Sequence, residues 1–144
     1  HEDATCTTTW RIDQHYPDPR NADKYPGEEW MSIGVLTPID FYPLPYRCFY
    51  SKDIPNLFMA GRNISVSHIA LGSTRVMRTC GLIGEVVGMA ASICTKKKAN
   101  PRDVYTTYFE DLKALMRKGT GRTDVPYTQF YHQVDRTGHQ AEDR

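Results

Sequence analysis

The chain has 144 residues, with 18 Lys and Arg against 17 Asp and Glu. A formal charge of +1 excludes a nucleic-acid role driven by phosphate neutralisation, and the length suits one compact unit. No stretch reads as a bilayer span, because the most apolar one, Val76 to Cys94, holds Arg78 and Glu85.

The segment from His1 to Thr9 is polar without a period and reads as a loop or a short edge strand. Thr8 to Asp13 is β-branched and aromatic and reads as a strand. Pro17 and Pro19 stop any regular ladder, and charged loop continues to Pro26-Gly27. Asp13 and His15, spaced by two at the end of that strand, can point to one side. Trp30 to Val35 reads as a weak strand. The prolines of Phe41 to Arg47 predict extended, irregular backbone before a strand at Cys48-Phe49-Tyr50.

Asn56 to Cys94 organises the rest. Leu57 to Ala60, an apolar run between Pro55 and Gly61, reads as a buried strand, although period alone does not exclude a helical segment. From Thr74 onward Val76, Met77, Cys80, Ile83, Val87, Ala90, Ala91 and Cys94 recur at helical spacings, which predicts one long half-buried helix. Gly81, Gly84 and Gly88 lie inside it on roughly one face. Each costs about 1 kcal/mol of helix propensity. That cost implies close approach of a strand, a helix or a flat ligand to the bare backbone. Tight packing without any ligand satisfies the same pattern.

Gly72-Ser73-Thr74 then reads as a turn with an N-cap at Ser73 or Thr74. With Arg62, Arg75 and Arg78 nearby, it makes a candidate anion or phosphate site. Cys6, Cys48, Cys80 and Cys94 form no C-x-x-C pair and stand at no metal-ligand spacing with histidine. Simple burial is expected rather than a metal site or a disulfide framework.

Thr95-Lys96-Lys97-Lys98 suits a helix C-terminus. Asn100-Pro101 opens a second helix, with Val104, Tyr108, Leu112, Leu115 and Met116 as its apolar face, ending after Lys118 at Gly119-Thr120-Gly121. The remainder is polar. Val125, Tyr127, Phe130, Tyr131 and Val134 are its only anchors, and an irregular tail is expected.

The stretch PYRCFYSKDIPNLFMAGRNISVSHIALGSTRVMRTCGLIGEVVGMAASIC resembles the C-terminal motif of the FAD-dependent oxidoreductase family, some of whose members are labelled xanthan lyases. TWRIDQHYPDP and NPRDVYTTYFEDLKALM resemble its flanking segments, so the likeness runs from about Trp10 to Met116. It implies an α/β chain, the C-terminal part of an FAD/NAD(P)-binding, glutathione-reductase-like fold. Short strands, a glycine-containing long helix and a second C-terminal helix are its expected parts. Residues 1–50 would be substrate-domain-like strands and loops. Residues 51–98 would form the FAD-domain strand, loop and helix, 99–118 the last helix, and 119–144 the tail.

By the same resemblance Gly61, Arg62 and Asn63 would line FAD beyond the strand, and Ser73, Thr74, Arg75 and Val76 would lie beside the isoalloxazine. A helix dipole and an arginine there suit the negative charge of reduced flavin. Arg62 stands where many flavoproteins carry the Asp that binds the ribityl hydroxyls. Three candidate catalytic residues follow from the likeness. His68 would be a general base, Arg47 would hold a substrate carboxylate or hydroxyl, and His15 with Asp13 would face the pocket. Each has a structural alternative: a loop histidine, a loop anchor and a turn clasp.

No G-x-G-x-x-G follows a strand, and the first residue is His1 rather than Met. The expectation is therefore a C-terminal fragment whose partner is the missing N-terminal Rossmann-type portion, and which does not hold FAD tightly by itself. The implied function is hydride transfer from a small polyhydroxylated, carbohydrate-derived substrate to FAD. The alternatives are a non-catalytic packing fragment and a polysaccharide lyase.

Overall fold

The computed structural model describes residues 1–17, 19, 26–27 and 32–121. The expectations for Trp30 and for the tail beyond Gly121 fall outside them.

The prolines of the early segments decide how its strands pair. β1 (Ala4–Thr7) pairs antiparallel with the short β4 (Pro43–Pro45), matching Ala4 to Pro45 and Thr7 to Pro43 across an irregular register. Two prolines in three residues leave β4 with one ladder donor, so side chains and flanking amides complete the pairing. The Thr5 hydroxyl donates to Leu44 O at 2.7 Å, the Thr8 amide to Tyr42 O at 2.9 Å, and the Tyr46 amide to Asp3 O at 2.8 Å. β2 (Ile12–Pro17) and β3 (Ser32–Thr37) make a second, regular two-stranded antiparallel sheet that pairs Asp13 with Leu36 and His15 with Gly34. The expected strand at Thr8 to Asp13 is thus displaced toward the C-terminus. Pro17 closes it as the final residue, where a missing N–H costs least.

Helices supply the rest of this mixed helix-and-strand fold: α1 (His68–Thr74), α2 (Met77–Lys97), α3 (Pro101–Thr106) and α4 (Phe109–Lys118). Thr79, Ile83, Val86, Ala90 and Ile93 form the buried stripe of α2, at alternating spacings of four and three. The inward face is rotated from the predicted one, and Met77 is 92% exposed. Leu44, Tyr46, Phe49, Val104, Leu112 and Met116 join that stripe in one buried core. By length and composition α2 would also pass as a membrane-crossing helix; the core covers its inner stripe and leaves much of the rest open.

The opening of α3 follows its sequence. Asn100 and Asp103 close a reciprocal capping box, Asp103 accepting the Asn100 amide at 2.8 Å, with Pro101 in the first turn. The single helix expected here breaks at Thr107-Tyr108, and α4 then runs to Gly119, which ends it at φ +69°.

Three further expectations are corrected. Cys48 to Tyr50 is no strand: Tyr46–Phe49 is a 3₁₀ turn, and Tyr50 makes a lone bridge to Phe58. Leu57 to Ala60 is no buried strand either. Leu57 and Ala60 are exposed, and Met59 N donating to Phe49 O at 2.7 Å is the main backbone tie. A strand needs a neighbour along its whole length, and among the described residues this run has only that bridge. The long helix, finally, does not begin at Thr74.

Candidate functional site at the α1–α2 junction

Two short-range features make the junction. Ser67 caps α1 by accepting the Ala70 amide at 3.3 Å, which starts the helix well before the glycine turn expected at residue 72. Gly72, Ser73 and Thr74 are therefore the buried last turn of α1, not the N-cap of the long helix. The Arg75 amide returns to Leu71 O at 3.0 Å, and Val76, extended at ψ 149°, redirects the chain into α2. The N-terminus of α2 has no side-chain cap. Its first-turn amides accordingly lack intrahelical acceptors, as at any helix start.

α1 lies against β2 through Gly72. A β-carbon there would stand 2.8 Å from Asp13 O and 3.0 Å from Asp13 N, so only glycine lets the helix seat on the strand. Seating α1 brings Arg75 to the end of β2. Its Nη2 donates to Asp13 O at 3.1 Å and lies 4.0 Å from Asp13 Oδ2. On the same strand, His15 Nε2 is 2.9 Å from Asp13 Oδ1, with the two side chains 45% and 25% exposed. The imidazole lies over Gly34, its cross-strand partner; a β-carbon there would come within 3.1 Å of Cε1.

Beneath this cluster runs a polar seam of hydroxyls. Tyr42 OH and Ser73 Oγ are 2.8 Å apart, Thr79 donates to Ser73 O at 3.4 Å, and Thr9 meets Thr79 Oγ1 at 2.8 Å. One hydroxyl stands outside it: Thr74 Oγ1 is fully buried and has no hydrogen-bond partner among the described residues. An unmade hydrogen bond at a buried group costs about 1–3 kcal/mol, so Thr74 is a place where the fold is under-satisfied.

The sequence-predicted site residues fall into three places. Ser73, Thr74, Arg75 and Val76 form the junction, and His15 joins them through Asp13. Gly61, Arg62 and Asn63 make a 3₁₀ turn, with Gly61 at φ +80°, that packs against α1 and α2; Arg62 and Asn63 are exposed. His68 and Arg47 stand apart. His68 opens α1 and is exposed, about 10 Å along the helix from Arg75 at a rise of ~1.5 Å per residue. Arg47, expected to meet a substrate carboxylate, grips one from its own chain. Nε and Nη2 donate to the two oxygens of buried Asp3 at 2.8 and 3.0 Å, and the guanidinium lies 5.0 Å over the Tyr105 ring.

Sequence reasoning missed Gly72 as a helix seat and the Thr79 and Tyr42 hydroxyls as supports. No local signal marks the Tyr42–Ser73 and Thr9–Thr79 contacts, whose partners lie 31 and 70 residues apart. The Asp13-x-His15 spacing on a strand was signal enough for the pair.

The family described as FAD dependent oxidoreductase matches residues 1–116 of the chain. No curated protein and no solved structure matches it.

Proposed function

The chain belongs to the FAD dependent oxidoreductase family, and from that premise we propose that the α1–α2 junction is its share of the FAD cradle, with Asp13 and His15 facing the substrate. FAD is the cofactor of the family. The residues present fit it. Thr74 Oγ1 is a buried hydroxyl lacking a partner, the uncapped start of α2 carries partial positive charge, and Arg75 adds a fixed one beside it. When bound, the flavin supplies the two-electron acceptor.

The observation that carries this reading is the convergence on Asp13 of Arg75, at 3.1 Å, and of His15, at 2.9 Å. Partly exposed polar contacts of this kind contribute only about 0–1 kcal/mol, so stability gives little account of them. Their chemistry gives a better one. A histidine oriented by a carboxylate can take a proton from a substrate hydroxyl, and an adjacent guanidinium can hold a second substrate oxygen or the flavin's electron-rich edge. His15 is preferred to His68 as base because it is the histidine that a carboxylate orients. Arg47 is assigned to anchoring the first strand rather than to substrate. A small polyhydroxylated compound is the substrate class that suits a base beside several hydrogen-bonding groups.

Gly81, Gly84 and Gly88 support a second element of the proposal, a glutathione-reductase-like assembly completed by a Rossmann-type portion. All three are exposed, with nothing among the described residues within 4 Å of an added β-carbon, so that face of α2 is bare backbone open to a close neighbour.

The test is to express the chain together with the upstream part of its gene and record the visible spectrum. A bound-flavin spectrum in the longer protein, weakened by Arg75→Ala, is expected. A longer protein that stays colourless after FAD reconstitution would sink the oxidoreductase reading.

A further inference from the structure

We propose that Asp13 is the positioning residue of this site. Its carboxylate holds His15 as the Nε2–H tautomer, leaving Nδ1 as the nitrogen that exchanges a proton with a bound alcohol, while its backbone carbonyl holds Arg75 alongside. The inference rests on reading the junction as the substrate-facing end of a flavin site, and it deepens that reading by naming the atom that handles the proton.

The geometry leaves one choice of nitrogen. Nε2 lies 2.9 Å from Asp13 Oδ1, and a carboxylate is an acceptor only, so a hydrogen shared across that contact sits on the nitrogen. A neutral imidazole has one N–H, and the lone pair therefore sits on Nδ1. When a hydroxyl binds there, its O–H bond breaks, the proton forms an N–H bond at Nδ1, and the oxygen keeps the electron pair. The positive charge that appears on the ring lies beside the Asp13 carboxylate. Asn in place of a tautomer-holding Asp can favour the wrong nitrogen without disturbing geometry, as triad enzymes show.

Two features hold Asp13 so that its side chain can do this. Gly72 presses against its backbone at the contacts given above, and Arg75 Nη2 donates to its carbonyl. The strand residue is thus fixed from the helix side while the carboxylate remains free to face His15. Gly34 completes the arrangement, because a side chain there would crowd Cε1 and push the ring from Asp13.

The test is the nitrogen chemical shifts of His15 in the ¹⁵N-labelled 144-residue chain, at a pH where the imidazole is neutral. A pyrrole-type Nε2 and a pyridine-type Nδ1 are expected. In Asp13→Asn that separation should be lost, the two signals moving toward averaged values or exchanging character. Gly34→Ala should give the same loss with the carboxylate still present, which covers the case where Asp13→Asn fails to fold. A pyrrole-type Nδ1 in the unaltered chain, or shifts unchanged in a folded Asp13→Asn variant, would overturn the proposal. No flavin enters this measurement. A fixed tautomer in a protein that never binds flavin would refute the flavin reading and leave the positioning role of Asp13 standing.

Discussion

Gly72 and Asp13 touch so closely that the first atom of any side chain on residue 72 would lie 2.8 Å from the Asp13 carbonyl oxygen. That oxygen also accepts Arg75 Nη2 at 3.1 Å. One backbone atom of β2 is therefore held between the flat face of α1 and the arginine that follows it. The contact transmits the position of the helix to the Asp13–His15 pair.

Gly72→Ala is expected to destabilise the chain by about 1–3 kcal/mol, because the methyl meets backbone rather than a side chain able to swing away. The helix propensity gained, roughly 1 kcal/mol, is too small to offset a displaced helix. Denaturant unfolding reads the loss, and faster amide exchange in β2 and β3 locates it. An unchanged midpoint would show that α1 does not need its seat.

Asp3 and Arg47 make acid stability depend on one buried carboxyl. Burial works to raise its pKa, but the hydrogen bonds and charge of Arg47 outweigh burial and hold it below the ordinary 3.8. A folded pKa below the unfolded one stabilises the native state at pH values above 3.8, and this contribution is lost as pH falls through the folded value. Asp3→Asn should cost about 1–3 kcal/mol at neutral pH and flatten the acid limb of the urea midpoint against pH. If both proteins lose stability in parallel on acidification, another group controls that limb.

The open glycines of α2 offer a discriminating pair of measurements. Replacing Gly81, Gly84 and Gly88 by Ala meets no atom of the described residues and should raise stability by about 1 kcal/mol each. Joined to the proposed Rossmann-type portion, a chain with the same methyls should show weakened flavin binding or assembly, if that face receives a closely packed neighbour. Stabilisation in both contexts would mean that nothing approaches the stripe.

Cys6 is fully buried, and burial pushes its thiol up to about 12. Thiol alkylation of the native chain should modify Cys48, Cys80 and Cys94, all partly accessible, before Cys6. Mass spectrometry of the products checks the order. Early labelling of Cys6 would mean that β1, the strand that carries it, opens locally.

Local chemistry was legible wherever neighbours in sequence are neighbours in space. The Asn100–Pro101–Asp103 start of α3, the Gly119 stop of α4 and the apolar character of α2 all rest on interactions within one turn. The pairing of Asp13 with His15 belongs to the same class, because a strand places residues two apart on one side. The likeness that pointed to an FAD dependent oxidoreductase was carried by contiguous motif residues, and the family match over residues 1–116 agrees with it.

Tertiary contact decided the rest. Whether Leu57 to Ala60 became a strand depended on a partner, and the run found only the Tyr50–Phe58 bridge. Where the long helix began depended on α1 seating against β2, which turned Ser73 and Thr74 from cap candidates into buried helix. Which carboxylate Arg47 would meet depended on β1 carrying Asp3 beside it from 44 residues away. The sequence by itself determined the Asn100 cap, the Gly119 stop, the apolar character of α2 and the family. The partners of Tyr42, Arg47, Arg75 and Thr9 were set only by folding, because a hydrogen bond depends on distance in space, and these pairs lie 31 to 70 residues apart along the chain.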